Sequence, residues 1–218
     1  MPHRGDARTP GHARTHMNYL AHAWLARHTP ELITGGMLGD FVKGSLDGRY
    51  PPAVRAGILL HRAIDRYTDA HEIVAASRAC VSSQRRRFAG ILIDVFYDHF
   101  LARHWERYGE PPLERFTAGV YAVLWPQRAG FPERLQRMLP WMRADDWLAS
   151  YADLEAVDAA LRGITRRFKR YPRAAVLADG VEELVANYAS LEAHFHDFFP
   201  ELERYCEQER LSLDQRAA

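Results

Sequence analysis

The chain has 218 residues, 47% of them hydrophobic, and a formal net charge of +1. That length suits one domain with a buried core, and the near-neutral balance argues against a whole-protein attraction to nucleic acid. No apolar run is long enough to span a membrane, and no secretory signal opens the chain. Its two cysteines, Cys80 and Cys206, lie outside any Cys-x-x-Cys pair. They read as free thiols of a cytoplasmic protein, with no finger-type zinc site.

Residues 1–16 are polar, rich in Arg, His, Gly and Pro, and without periodicity, so they read as a disordered arm preceding a fold that starts at Met17. Asn18 to Arg27 has a helical pattern with His22 near its middle. The Gly35-Gly36-Met37-Leu38-Gly39-Asp40-Phe41 segment permits either close backbone packing or a helix break just before Asp40. Pro51-Pro52 opens a helix running towards Ala70, with a kink expected near His71. Phe88 to Tyr108 is the next helix, stopped by Gly109 and Pro111-Pro112. Leu113–Trp125, Pro132–Met142, Asp146–Phe168 and Val181–Glu209 complete the set. No segment requires a strand. The expectation is one all-α domain of about seven or eight helices over residues 17–210, with a flexible tail at 211–218.

His61, Asp65 and Asp69 are spaced four and four, which puts three metal ligands or proton-transfer groups on one helix face. Asp94 and Asp98 are also four apart, with His99 following directly, in a stretch that is apolar nearly all round. Carboxylates buried there need a partner, a hydrogen bond or a metal. His22 and Asp40 add candidates from separate segments. A set of His and Asp without Cys suits Mn²⁺, Mg²⁺ or Fe²⁺, which polarise a phosphoryl oxygen and acidify water. Arg62, Arg66, Arg103 and Lys43 are candidate phosphate partners. Blander roles stand beside these: Asp65 in a surface pair with Arg62 or Arg66, Asp69 as a cap, His104 as a structural residue, and His196-Asp197 as part of an aromatic helix end. The chain has no Glu-x-x-His, which argues against a ferritin-like di-iron bundle.

Several segments carry a resemblance: Met17-Asn18-Tyr19-Leu20-Ala21-His22, Leu38-Gly39-Asp40-Phe41-Val42-Lys43-Gly44, Tyr50-Pro51-Pro52 leading to His61-Arg62-Ala63-Ile64-Asp65, and Asp94-Val95-Phe96-Tyr97-Asp98-His99-Phe100-Leu101. In this order they resemble the acyl carrier protein phosphodiesterase family, densely to Trp105 and more thinly to about Pro200. The resemblance implies a divergent, helical HD-domain-like phosphohydrolase that releases 4′-phosphopantetheine from holo-acyl carrier protein, with Mn²⁺ as the favoured metal. The ordinary HD order of His, adjacent His-Asp and distant Asp is not matched, because Asp98-His99 is reversed. The expected ligands are therefore drawn from His22, Asp40, His61, Asp65, Asp94 and Asp98, with His99 or Asp69 handling protons and Arg62 among the groups steadying the phosphoryl charge. Acyl carrier proteins are acidic. The docking candidates are accordingly Arg85, Arg86 and Arg87, and a second cluster of Arg166, Arg167, Lys169 and Arg170. Two rival functions stay open, a small-phosphate hydrolase and a non-enzymatic helical binding module.

Overall fold

The computed structural model describes residues 18–46, 48–168 and 171–217. The expected arm at 1–16 lies outside them, as do Met17, Lys169 and Arg170. Local start and stop residues place most of the helices. Helix α1 (Tyr19–Leu25) is followed by α2 (Pro30–Leu38), where Thr29 accepts a hydrogen bond from the Leu32 amide at 3.2 Å and Pro30 opens the first turn. Pro52 opens α3 (Pro52–Ala70), and the ring of His71 then caps α4 (Glu72–Cys80) through the Ile73 amide at 3.3 Å. Next come α5 (Ala89–Arg103), the single-turn α6 (Trp105–Tyr108) and α7 (Leu113–Leu124). They are followed by α8 (Glu133–Ala144), α9 (Trp147–Ser150), α10 (Leu154–Arg167), α11 (Val181–Ala186) and α12 (Tyr188–Ala217). Short 3-10 turns at Gly39–Phe41, Arg86–Phe88, Trp125–Gly130 and Pro172–Leu177 join some of them, and no strand occurs among the described residues.

The architecture is a single all-α domain. Some expected long helices are interrupted: the Phe88–Tyr108 segment breaks at His104, Asp146–Phe168 divides into α9 and α10, and Val181–Glu209 breaks at Asn187 and continues to Ala217. Asp146 separates α8 from α9: it adopts a left-handed conformation (φ 41°) and its carboxylate accepts from the Ala149 amide. At Asn187 the side-chain amide donates to the Glu183 carbonyl at 3.0 Å.

Helix α5 is the central element, with every residue from Leu92 to Ala102 buried. Phe96 and Phe100 join Phe195, Phe198 and Phe199 of α12 in the core. Ser77 of α4 bonds both the Tyr97 hydroxyl (2.7 Å) and His194 Nδ1 (3.0 Å), linking α4, α5 and α12. Cys80 and Cys206 are unpaired thiols. No helix among the described residues is long and apolar enough to cross a membrane.

A buried ion pair anchors α11. Glu183 accepts from the Ser82 amide (3.0 Å) and hydroxyl and from Arg85 Nη1 (3.0 Å). Burial favours its protonated form, but the Ser82 and Arg85 hydrogen bonds outweigh this and hold the carboxyl below its ordinary value. Its contribution is therefore complete above the unfolded carboxylate pKa and fades as pH falls through the folded value. Glu183→Gln is expected to cost about 2 to 4 kcal/mol at pH 7, because it leaves Arg85 without its buried counter-charge. Denaturant titrations across pH check this: the difference from the parent should shrink towards acid pH.

Candidate metal centre

Two helices bring His22, His61 and Asp65 together. Helix α1 carries His22, and α3 carries His61 and Asp65 one turn apart. His22 Nε2 lies 3.1 Å from Asp65 Oδ1, and His61 Nε2 lies 3.3 Å from Asp65 Oδ2. The two imidazoles stack at a centroid distance of 3.7 Å and an interplanar angle of 19°. Asp40, on the 3-10 turn after α2, approaches His61 Nε2 at 3.8 Å. One ligand atom from each of His22, His61 and Asp65 lies within 4.8 Å of the others.

Both histidines are at most 2% exposed, and Asp65 is 17% exposed. Burial alone would raise the Asp65 pKa, but hydrogen bonds from His22 and His61, reinforced by their charge, hold it well below the usual carboxylate range. The group is thus an anion facing two imidazole nitrogens in a nearly dry setting.

Glycines make this approach possible. A Cβ on Gly39 would stand 2.1 to 2.6 Å from the His61 ring, so only glycine lets the turn carrying Asp40 close over that ring. Gly35 and Gly57 are in backbone-to-backbone proximity where α2 crosses α3, which sets the distance between the turn and His61. This donor set fits a divalent ion: two imidazoles and an anionic carboxylate, with a second carboxylate beside them.

The remaining candidates have other surroundings. Asp98 is fully buried and accepts from the Leu20 amide (Oδ2, 2.9 Å) and the Ala21 amide (Oδ1, 2.9 Å). It therefore satisfies two of the open N–H groups at the start of α1 and holds the helix that carries His22. Burial pushes its pKa well up, the two amides oppose this, and nearby Asp94 adds to the rise. Asp98→Ala is expected to cost about 2 to 5 kcal/mol, since two buried amides lose their acceptor. Thermal denaturation checks this, with a smaller loss expected for Asp98→Asn. Asp94 is buried one turn earlier on the same helix face.

His99 Nδ1 meets the Tyr151 carbonyl at 2.8 Å, and its Nε2 meets the Tyr188 hydroxyl at 3.0 Å. Those bonds direct it to the α9 and α12 side, and burial holds its pKa below the ordinary imidazole value. Asp69 pairs with Arg78 at 2.7 Å. Arg62 donates to the carbonyls of Val42 and Gly44, both at 3.1 Å, and so pins the loop that follows Asp40.

In the expected docking cluster, Arg85 is committed to Glu182, Glu183 and the Val176 carbonyl, and Arg86 to the Val81 and Ala79 carbonyls. Their guanidinium groups therefore stabilise the loop before α5. Arg87 is exposed. Arg166 and Arg167 of the second expected docking cluster lie on a face formed by α8, α9 and α10, which also carries residues the sequence did not single out. Two adjoining hollows there, about 360 and 460 Å³, share Trp147 and Arg167. Arg134, Arg137 and Arg166 line them, and Trp141 beside them is 65% exposed. The spacing of Arg134, Arg137 and Trp141 by three and four was the available signal.

Residues 17–202 match the family described as acyl carrier protein phosphodiesterase. A protein of that name from Serratia proteamaculans (strain 568) is 39% identical over 197 residues, covering 89% of this chain and 100% of the relative. Another from Yersinia pestis is 34% identical over 196 residues, covering 89% and 100%. One from Escherichia coli O6:H1 is 35% identical over 187 residues, covering 85% and 95%. No solved structure matches significantly. Together with the all-helical fold, these relatives define a hydrolase of phosphodiester bonds. The chain belongs to the acyl carrier protein phosphodiesterase family.

Proposed function

We propose that this chain hydrolyses holo-acyl carrier protein to the apo-protein and 4′-phosphopantetheine, with a divalent metal, Mn²⁺ before Mg²⁺ or Fe²⁺, held by His22, His61 and Asp65. The observation that carries the reading is the convergence of these three side chains, with Asp40 3.8 Å from His61, inside a family named for this reaction. When bound, such an ion acidifies water and neutralises charge on a phosphoryl oxygen. Asp65 supplies the fixed negative charge, and the stacked imidazoles hold two nitrogens towards it. In balance, water adds to phosphorus, the carrier serine oxygen departs with a proton, and the phosphate leaves on the pantetheine arm. Arg62 acts as a positioning residue through the 42–44 loop. Asp94 and Asp98 support the site from α5.

The carrier docks on the face lined by Arg134, Arg137 and Arg167, in place of the Arg85–Arg87 segment. Charge distribution supports this assignment. Residues 125–173 hold ten Lys/Arg against six Asp/Glu, while the rest of the chain holds nineteen against twenty-two. Tyr19 lines one hollow and stacks on Phe41 (6.4 Å, 11°), the neighbour of Asp40, so this face adjoins the centre. Arg134→Glu/Arg137→Glu is expected to raise KM for holo-carrier about tenfold or more, with kcat held within about twofold and the effect shrinking at high salt. An unchanged KM excludes this docking face.

The function itself is tested by mass spectrometry of holo-acyl carrier protein incubated with the enzyme and either Mn²⁺ or a chelator. Loss of the phosphopantetheine mass only with metal is the expected result. An intact carrier alongside turnover of a free nucleotide points instead to a small-phosphate hydrolase.

A further inference from the structure

A second group of metal-binding side chains lies away from this centre. His104 sits at the corner between α5 and α6, and Glu192 and His196 stand one turn apart on α12. His104 Nε2 is 2.7 Å from Glu192 Oε1, and the His104 and His196 rings are 4.8 Å apart between centroids at 61°. One ligand atom from each of the three residues lies within 4.8 Å of the others. Other His–Glu pairs on the molecule lack this convergence. Among the described residues, His28 with Glu207 (3.4 Å) and His71 with Glu201 (3.3 Å) do not gather a third ligand within 4.8 Å.

The supporting residues also suit a ligand role. The Tyr108 hydroxyl bonds His196 Nδ1 at 2.5 Å, and its ring stacks on the imidazole (6.0 Å, 20°). That contact fixes the ring and occupies Nδ1, so Nε2 is the nitrogen left for a metal, as when a ligating histidine is held through its other nitrogen. His104 and Glu192 are 32% and 30% exposed, so the group is open to an ion and to water. Arg107, near the Tyr108 ring, is the opposing charge that an ion here must tolerate.

We propose that His104, Glu192 and His196 form a second metal site, selective for borderline divalent ions of the zinc class, which clamps the α5–α6 corner onto α12. Two imidazoles and one carboxylate form a three-ligand set of the type Zn²⁺ accepts with water completing the shell. The site is independent of the phosphodiesterase reading, because it shares no residue with the His22 centre.

The test is calorimetric titration of the untagged, full-length His61→Ala protein with Zn²⁺, followed by the same protein carrying His196→Ala or Glu192→Ala. The expected result is one Zn²⁺ equivalent in His61→Ala that each second substitution removes or weakens at least tenfold. Circular dichroism checks that each variant is folded. Because Glu192 is partly exposed, its variant keeps the test decisive if His196→Ala fails to fold. Identical stoichiometry and affinity in the double variants overturns the proposal, as does the absence of uptake by His61→Ala.

Discussion

Asp65→Asn is expected to abolish stoichiometric metal uptake and to lower turnover of holo-carrier on the order of 10³-fold. Asparagine keeps the size of the side chain but removes its charge and turns one oxygen into an NH₂ group facing a buried imidazole. Asp65 stands between His22 and His61 at 3.1 and 3.3 Å and faces both imidazoles. Asp40 approaches His61 at 3.8 Å, a longer contact than either of Asp65's. Metal-derived charge stabilisation is worth several kcal/mol, and each 1.4 kcal/mol or so is a factor of ten in rate. Metal content by elemental mass spectrometry and turnover by carrier mass shift are the two readings. Full turnover in the variant removes Asp65 from the site. The pH dependence has a definite sign. Hydrogen bonds from both histidines, winning over burial, hold the folded pKa low, so Asp65 stabilises the fold above its unfolded pKa and loses that effect as pH falls through the folded value. The asparagine variant is expected to lack this part of the acid limb.

Gly57→Ala is expected to destabilise the protein by about 1 to 2 kcal/mol net and to weaken metal binding as well. A Cβ there would lie 2.6 Å from the Leu32 carbonyl oxygen and 2.8 Å from the Gly35 Cα. Both are backbone atoms and cannot rotate away, so α2 and α3 must separate. Overpacking of this kind costs about 1 to 3 kcal/mol, occasionally more, and it exceeds the roughly 1 kcal/mol that alanine gains over glycine in a helix. The separation also moves Asp40, just beyond α2, away from His61 on α3, which links stability to the site. Gly119→Ala is the control. Gly119 lies in α7 with open space around it, so the same substitution is expected to raise stability by about 0.5 to 1 kcal/mol. Chemical denaturation of both variants, with metal titration of Gly57→Ala, decides this. Equal effects in the two variants rule out the close crossing.

Much of the helical framework was legible because its signals are local. Pro52 and Gly109 act on their own turn, and the apolar run of α5 announces its burial without any partner being known, whereas the α2 start at Thr29-Pro30 was not expected from the sequence. The breaks at His104, Tyr151–Asp153 and Asn187 were less visible, since they depend on side-chain bonds and turns that periodicity does not report.

At the centre, the spacing of His61 and Asp65 was readable as a shared helix face, and the tertiary structure added His22 from a helix 39 residues earlier. The same chemical rule, that a buried carboxylate needs partners, leads to different roles at Asp65 and Asp98. Asp65 faces imidazoles, whereas Asp98 caps α1. Arg85 and Arg86 read as surface charge in the sequence but find internal acceptors once α11 and the loop before α5 are folded.

By itself, the sequence determined the helical class, the family and the residues from which the centre is drawn, because residue type and spacing along one helix decide those. The tertiary structure alone decided which side chains meet, because that depends on how α1, α2 and α3 pack. The Gly35–Gly57 crossing and the Gly39 turn are what bring His22, Asp40, His61 and Asp65 within a few ångströms.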